Sequence, residues 1–345
     1  MRVRLPAVSD AYRLAWRGTR HLPAPVGYGL AHTVADALWA WQRLRRSATG
    51  VGQLERNLAR ILPAGTPPRA LRRATRAGMR SYMRYFYEAF ALPATTPDQR
   101  RARVRPDIDP RLRQDLATGS VVVALPHMGN WDLAGAWVCA ELAQVLTVAE
   151  HLEPDDLFRQ FVAFREGIGM RVIGQRHGER VFDQLLGAAG QGRYVIALLA
   201  DRDLSSAGVQ VDVAGHAMRA AAGPAALAVR LGLPLYRACI SYERLNGERR
   251  RAAGGPWGIV LSIHKVEEPD GAGPGTRERV VAWTRAWVGA LTPDLVAHAT
   301  DWHMLQPVFD ADLDPERLAR AHAREQEQQD GSHPLPTRAT GEETS

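Results

Sequence analysis

Between residues 121 and 263, short apolar runs recur with just enough chain between most of them for a helix, and this alternation limits the folds open to the sequence. Residues 121–125, 145–149, 171–173, 194–200, 209–213, 235–240 and 258–263 have the length and β-branched character of strands. Residues 132–143, 156–167, 178–189 and 223–231 fit helices between them. Strands alternating with helices predict an α/β fold, a central mostly parallel or mixed sheet flanked by helices. A further helix is expected at 277–291, followed by an irregular, Trp-containing segment at 292–309.

Upstream the periodicity changes. Residues 1–115 read as helical, with helices expected at 26–46, 52–62 and 67–92. Charge is also concentrated there. Through Arg113 the chain has 22 arginines against 7 acids, a net of +15, which leaves −8 for the remainder of a chain whose total is +7. Such asymmetry points the first third toward an anionic partner, either nucleic acid or an anionic lipid surface. On helix 67–92 Arg69, Arg72, Arg73, Arg76, Arg80 and Arg84 follow helical spacing and form one stripe. The stripe is either a solvated face on a core-packed helix or an electrostatic dock for phosphates and anionic headgroups. Nucleic acid calls for aromatics beside the arginines, whereas Tyr82, Tyr85 and Phe86 fall on the opposite side, so a nucleic-acid partner is not expected. No stretch approaches the ~18 consecutive apolar residues of a spanning helix, and no secretory signal is evident. Cys139 and Cys239, far apart in apolar surroundings, read as buried thiols of a cytosolic protein. No histidine spacing matches a metal site, and 187–192 is a turn, since it precedes a strand where a phosphate loop would follow one.

The chemistry concentrates in residues 125–135, LPHMGNWDLAG. The apolar run ending at Pro126 sets His127 just past a strand's carboxyl end, where open α/β sheets put ligands. Asn130 is placed to cap the next helix and Asp132 falls in its first turn. The turn through Met128 and Gly129 can fold the Asp132 carboxylate back onto the imidazole, fixing its tautomer and freeing the other nitrogen as a base. The motif holds no Ser, Thr or Cys nucleophile, so the base would activate a hydroxyl on the substrate. The alternative is a helix-capping aspartate beside an incidental histidine. A second strand end carries Asp201, Arg202 and Asp203, where Arg202 suits a phosphate through its bidentate fork. The small residues at 223–231 suit either close helix packing or room for an acyl chain. Asp301, Trp302 and His303 read as mainly structural.

LPHMGNWDLAG resembles the H-x4-D motif of glycerolipid and lipid A-type acyltransferases, specifically the branch that acylates phosphatidylinositol mannosides in actinobacteria. RAGMRSYMRYFYEAFALP, ALLADRDLSSAGVQVDVAG, AAGPAALAVRLGLPL and DWHMLQPVF resemble that branch in the same order, over about residues 10–315. The resemblance implies a glycerolipid acyltransferase-like fold in a single domain at 1–315. Its helical part (1–115) would face membrane and substrate, its α/β catalytic core would be 116–315, and a polar, disordered tail would occupy 324–345. It implies His127 as general base on a mannose hydroxyl that attacks an acyl-CoA thioester, with Asp132 orienting it. Members of the group carry an acid at the position of Glu150 and a base at that of Arg165, which implies a wall of the active site or an ion pair. An acid at the position of Asp201 is also implied, sometimes as glutamate. The implied partners are acyl-CoA as co-substrate, a phosphatidylinositol mannoside and the anionic inner-membrane surface at the cytoplasmic face, with no bound cofactor or metal. Transfer to another glycolipid or a lysophospholipid, and a non-catalytic lipid-binding protein, are the rival readings.

Overall fold

The run VVVAL (β2, Val121–Leu125) is buried at every position, which only the interior of a sheet covered on both faces provides. In the computed structural model it lies among β1 (Val104–Ile108), β3 (Val145–Glu150), β4 (Arg171–Gln175), β5 (Val195–Leu199), β8 (Leu235–Arg244) and β9 (Trp257–Val266). These seven strands form one sheet of order β1-β9-β8-β2-β5-β3-β4, so β2 is the central strand. Every pair is parallel except the antiparallel β8–β9. The α/β class, the mixed sheet and the helical N-terminal region are as expected. The structure describes residues 18–19, 22–150, 155–175, 181–203, 208–273, 275–313, 316 and 319, without the side chains of Glu150, Leu157 and Gln175. The expected tail at 324–345 lies outside the described residues.

Successive side chains of a strand face opposite sides, and β2 shows the consequence. Val122 and Ala124 enter one apolar layer with residues of α2 (Val51–Ile61), α9 (Gly223–Leu231) and α11 (Thr276–Ala297). Val121, Val123 and Leu125 enter the other, with α5 (Arg111–Thr118), α6 (Trp131–Glu141) and α7 (Asp155–Gly167). The N-terminal helices α1 (Ala24–Leu44) and α3 (Pro68–Ala91) are tied to this body by Glu88, 1% exposed. Its carboxylate accepts from Tyr28 at 2.7 Å and Asn130 at 2.8 Å, and forms an ion pair with Arg103 at 2.6 Å.

Several elements depart from expectation. Residues 1–115 are not wholly helical, because β1 lies within them and pairs with β9. Its sequence VRPDI carries charge and a proline, which an edge strand tolerates and a central strand does not. β6 (Val209–Val213) leaves the main sheet and pairs with β7 (His216–Ala220), a strand the hydrophobic pattern did not signal. The two join through Ala214 and Gly215, both at positive φ (54° and 81°), the geometry that matches strand twist in a two-residue hairpin. Helix α11 runs on through Pro293 to Ala297, so the irregular segment starts later than residue 292. Cys239 is buried and Cys139 half-buried; both are free.

Candidate active site

Strand register builds the site. In the parallel pair β2–β5, Leu125 lies opposite Leu199, so His127 and Asp201 each stand two residues beyond matched positions. The Asp201 carboxylate accepts from the His127 backbone N–H at 3.0 Å and meets the imidazole Nδ1 at 2.6 Å. Burial opposes charge on Asp201, 2% exposed, but the imidazole and the hydrogen bonds from His127 and the Trp302 indole (2.8 Å) hold the carboxyl below its usual range. Nδ1 is thereby committed, and Nε2 is the ring nitrogen left for a substrate.

The turn that carries His127 is held from both sides. Gly129 has φ 62°, and a Cβ there would lie 2.2 Å from the Ile240 carbonyl, so only glycine fits. Asn130 caps α6 as expected, its side chain accepting from the Leu133 N–H at 2.9 Å. From far downstream in the chain, the His303 N–H donates to the His127 carbonyl at 2.8 Å, and the Gly129 N–H donates to that of Asp301 at 2.9 Å.

Asp132 does not fold back onto the imidazole. It is fully buried in the first turn of α6, where it accepts from Arg165 Nε at 2.8 Å and from the Tyr85 hydroxyl at 2.9 Å. Helix formation turns its side chain toward α3 and α7, and the strand register gives His127 a different carboxylate. Burial and the adjacent carboxylate push the Tyr85 phenol well above its ordinary range, so it remains a donor. Arg165 forms an ion pair with Asp132, and the pair with Glu150 that the resemblance implied falls outside the described residues. The backbone of Glu150 ends β3, and its side chain lies outside the described residues.

His127 opens on a cleft of about 530 Å³ walled by Tyr82, Phe86, Trp131, Arg165, Arg202 and His303, among others. A second, smaller cavity of about 70 Å³ lies between α6 and the sheet, lined mainly by apolar side chains such as Val123, Ala134, Val138 and Leu199. Trp131, Val148, Arg165 and Leu199 line both. The small helix at 223–231 lines neither; Ala225, Leu227 and Ala228 pack into the core. Among the described residues no three of His, Cys, Asp and Glu converge as metal ligands.

A family model described as bacterial lipid A biosynthesis acyltransferase matches residues 6–248. The chain belongs to this family. Among curated proteins it is similar to the phosphatidylinositol mannoside acyltransferase of Mycolicibacterium smegmatis, 36% identical over 90% of this chain and 93% of that one. It is also similar to the protein of the same name from Mycobacterium tuberculosis, 35% identical over 92% and 93%.

The H-x4-D spacing thus sets His127 at the cleft and Asp132 behind it, against Arg165 and Tyr85, without joining the two. Arg165 and Arg202 share the cleft with His127. The arginine stripe divides. Arg69, Arg72 and Arg73 are exposed, whereas Arg76 and Arg80 both grip Asp36 of α1 at 2.5–2.8 Å. Those hydrogen bonds hold the Asp36 carboxyl far below its usual range. Arg84 is buried, its guanidinium 3.5 Å from the Trp257 ring centroid and 4.4 Å from that of Tyr242. It cannot face a membrane, because α3 has by then passed beneath the surface. The readings from sequence missed Tyr85, Trp302 and His303 as site residues. The one available signal was that His127 and Asp201 each stand just past the end of an apolar run.

Proposed function

We propose that this chain moves a fatty acyl group from acyl-CoA to a mannose hydroxyl of a phosphatidylinositol mannoside. The observation that carries the reading is the His127 imidazole, bonded through Nδ1 at 2.6 Å to a buried carboxylate while its ring borders a 530 Å³ cleft. His127 Nε2 takes the proton of the acceptor hydroxyl as its oxygen attacks the thioester carbonyl carbon. The carbon–oxygen bond forms, the carbon–sulfur bond breaks, and the imidazolium returns the proton to the departing thiolate. Asp201 holds the ring and balances its transient charge. Asp132 braces Arg165 and Tyr85 in the wall. The apolar cavity beside the cleft suits the acyl chain, and Arg165 and Arg202 suit anionic groups of donor or acceptor.

The acceptor follows from the names of the relatives, and the site chemistry would serve another lipid hydroxyl equally. Docking at the cytoplasmic membrane face is part of the reading. Among the described residues no helix is long and apolar enough to cross a membrane. Helix α1 nevertheless exposes Val26, Leu30, Val34, Trp41 and Leu44, with Arg43 and Arg45 near its end. An apolar face flanked by arginines suits an interfacial helix on anionic lipid.

The test is thiol release from palmitoyl-CoA, with and without purified phosphatidylinositol dimannoside, by the native chain and His127→Ala. Acceptor-dependent release that falls about a thousandfold or more in the variant is expected. Release supported only by a lysophospholipid would move the acceptor. Retained turnover in His127→Ala would end the reading, and lipid binding without any release would favour a binding protein.

A further inference from the structure

Asp201 does not hold His127 alone. Its two oxygens have different partners: Oδ1 faces the imidazole Nδ1 at 2.6 Å, while Oδ2 accepts from the His127 backbone N–H at 3.0 Å and from the Trp302 indole at 2.8 Å. Two donors on Oδ2 fix the rotation of the carboxylate and reserve Oδ1 for the ring. The indole is itself fixed. Trp302 is fully buried and bridges Met128 antiparallel, between the bonds that Asp301 and His303 make to Gly129 and His127. Asp301 anchors the segment in turn, accepting from Ser81 of α3 at 2.8 Å and from the Tyr242 N–H of β8 at 2.8 Å. A tryptophan that only filled space would not need its single polar atom aimed at the carboxylate behind the base.

We propose that Trp302 is a positioning residue, whose indole N–H orients the Asp201 carboxylate and draws on its charge, and so governs how firmly His127 retains a proton. The proposal rests on His127 being the base. The other titratable or charged groups around the imidazole are Tyr82 and Tyr85 of α3, Arg165 of α7, Arg202 beyond β5, and His303. Asp132 is neutralised within its pair with Arg165, and the Glu150 side chain is outside the described residues. None of these changes when the indole N–H is removed. Without that donor the carboxylate charge is less shared, so it favours the imidazolium more strongly.

The experiment compares native protein, Trp302→Phe and Val308→Ala by the pH dependence of kcat/KM and by the NMR titration of the His127 ring. Val308 is fully buried near Trp302 in the same core, and its truncation removes volume without removing a hydrogen bond. In Trp302→Phe the acidic limb and the ring titration are expected to move to higher pH by about half to one unit, and kcat to fall about tenfold. In Val308→Ala both should stay at the native position even if Tm falls as far. Superimposed titrations of native and Trp302→Phe protein, or equal shifts in both variants, would overturn the proposal. Because the ring titration is read without turnover, it stands apart from the base assignment. That assignment fails separately if His127→Ala remains active.

Discussion

Asp201 and Asp132 are both buried carboxylates beside one cleft, yet they serve different partners. Asp201 faces an imidazole that opens on the cleft and is held by an indole and a backbone N–H. Asp132 faces a guanidinium and a phenol within the wall. What a buried carboxylate does depends on whether its partner can exchange a proton. An imidazole can, whereas an arginine and a tyrosine raised above its ordinary range cannot at neutral pH.

The sharpest way to break this contrast is substitution by the uncharged isostere. Asp201→Asn should lower acyl transfer about a hundredfold or more, since the ring loses both tautomer control and charge balance; steady-state rates measure it. Asp132→Asn should act mainly on stability. Leaving Arg165 buried without its anion costs about 3 kcal/mol, seen as an earlier urea midpoint, while turnover per folded molecule falls less than in Asp201→Asn. If Asp132→Asn gave the larger loss of turnover at unchanged stability, the two roles would have to be exchanged.

Acid titration separates a third group from these two. Burial, with Arg84 and His127 adding to it, lowers His303 to about 3. Between about pH 6.5 and 3 the unfolded chain therefore binds a proton that the folded chain refuses, and stability falls as pH drops, by up to about 1.4 kcal/mol per pH unit. Asp201 is shifted in the same direction, its folded value also depressed, but from a lower unfolded value. Its contribution is complete above the unfolded carboxyl value near ~3.9 and is lost only below that. Urea melts of native protein and His303→Gln should thus diverge between pH 7 and 4, the variant being flatter. Parallel curves would remove His303 from the account.

The smallest expected effect lies at the surface. Arg72→Glu with Arg73→Glu should weaken binding to anionic liposomes by about 1 kcal/mol per residue, without altering Tm. Arg76→Glu should instead lower Tm, because it breaks the grip on Asp36. Co-sedimentation and melting curves together distinguish the two halves of the stripe.

Much of this was legible along the chain wherever a local pattern carries the information. VVVAL reads as a buried strand, Asn130 as a cap, and His127 as a side chain at a strand's end, because each depends on neighbours a few residues away. Segment β1 was not legible, since its proline and charges suit an edge but mimic a loop. Arg84 misled for a related reason. Helical spacing groups it with exposed arginines, and only the packing of α3 against Trp257 buries it.

By itself the sequence determined the α/β class, a strand at 121–125 and the histidine at its end, because hydrophobic periodicity and capping are short-range properties. Tertiary structure decided which acid meets that histidine. Helix geometry carries Asp132 away from its near neighbour in the chain, and the β2–β5 register, closed by Trp302 from 175 residues downstream, brings Asp201 to it.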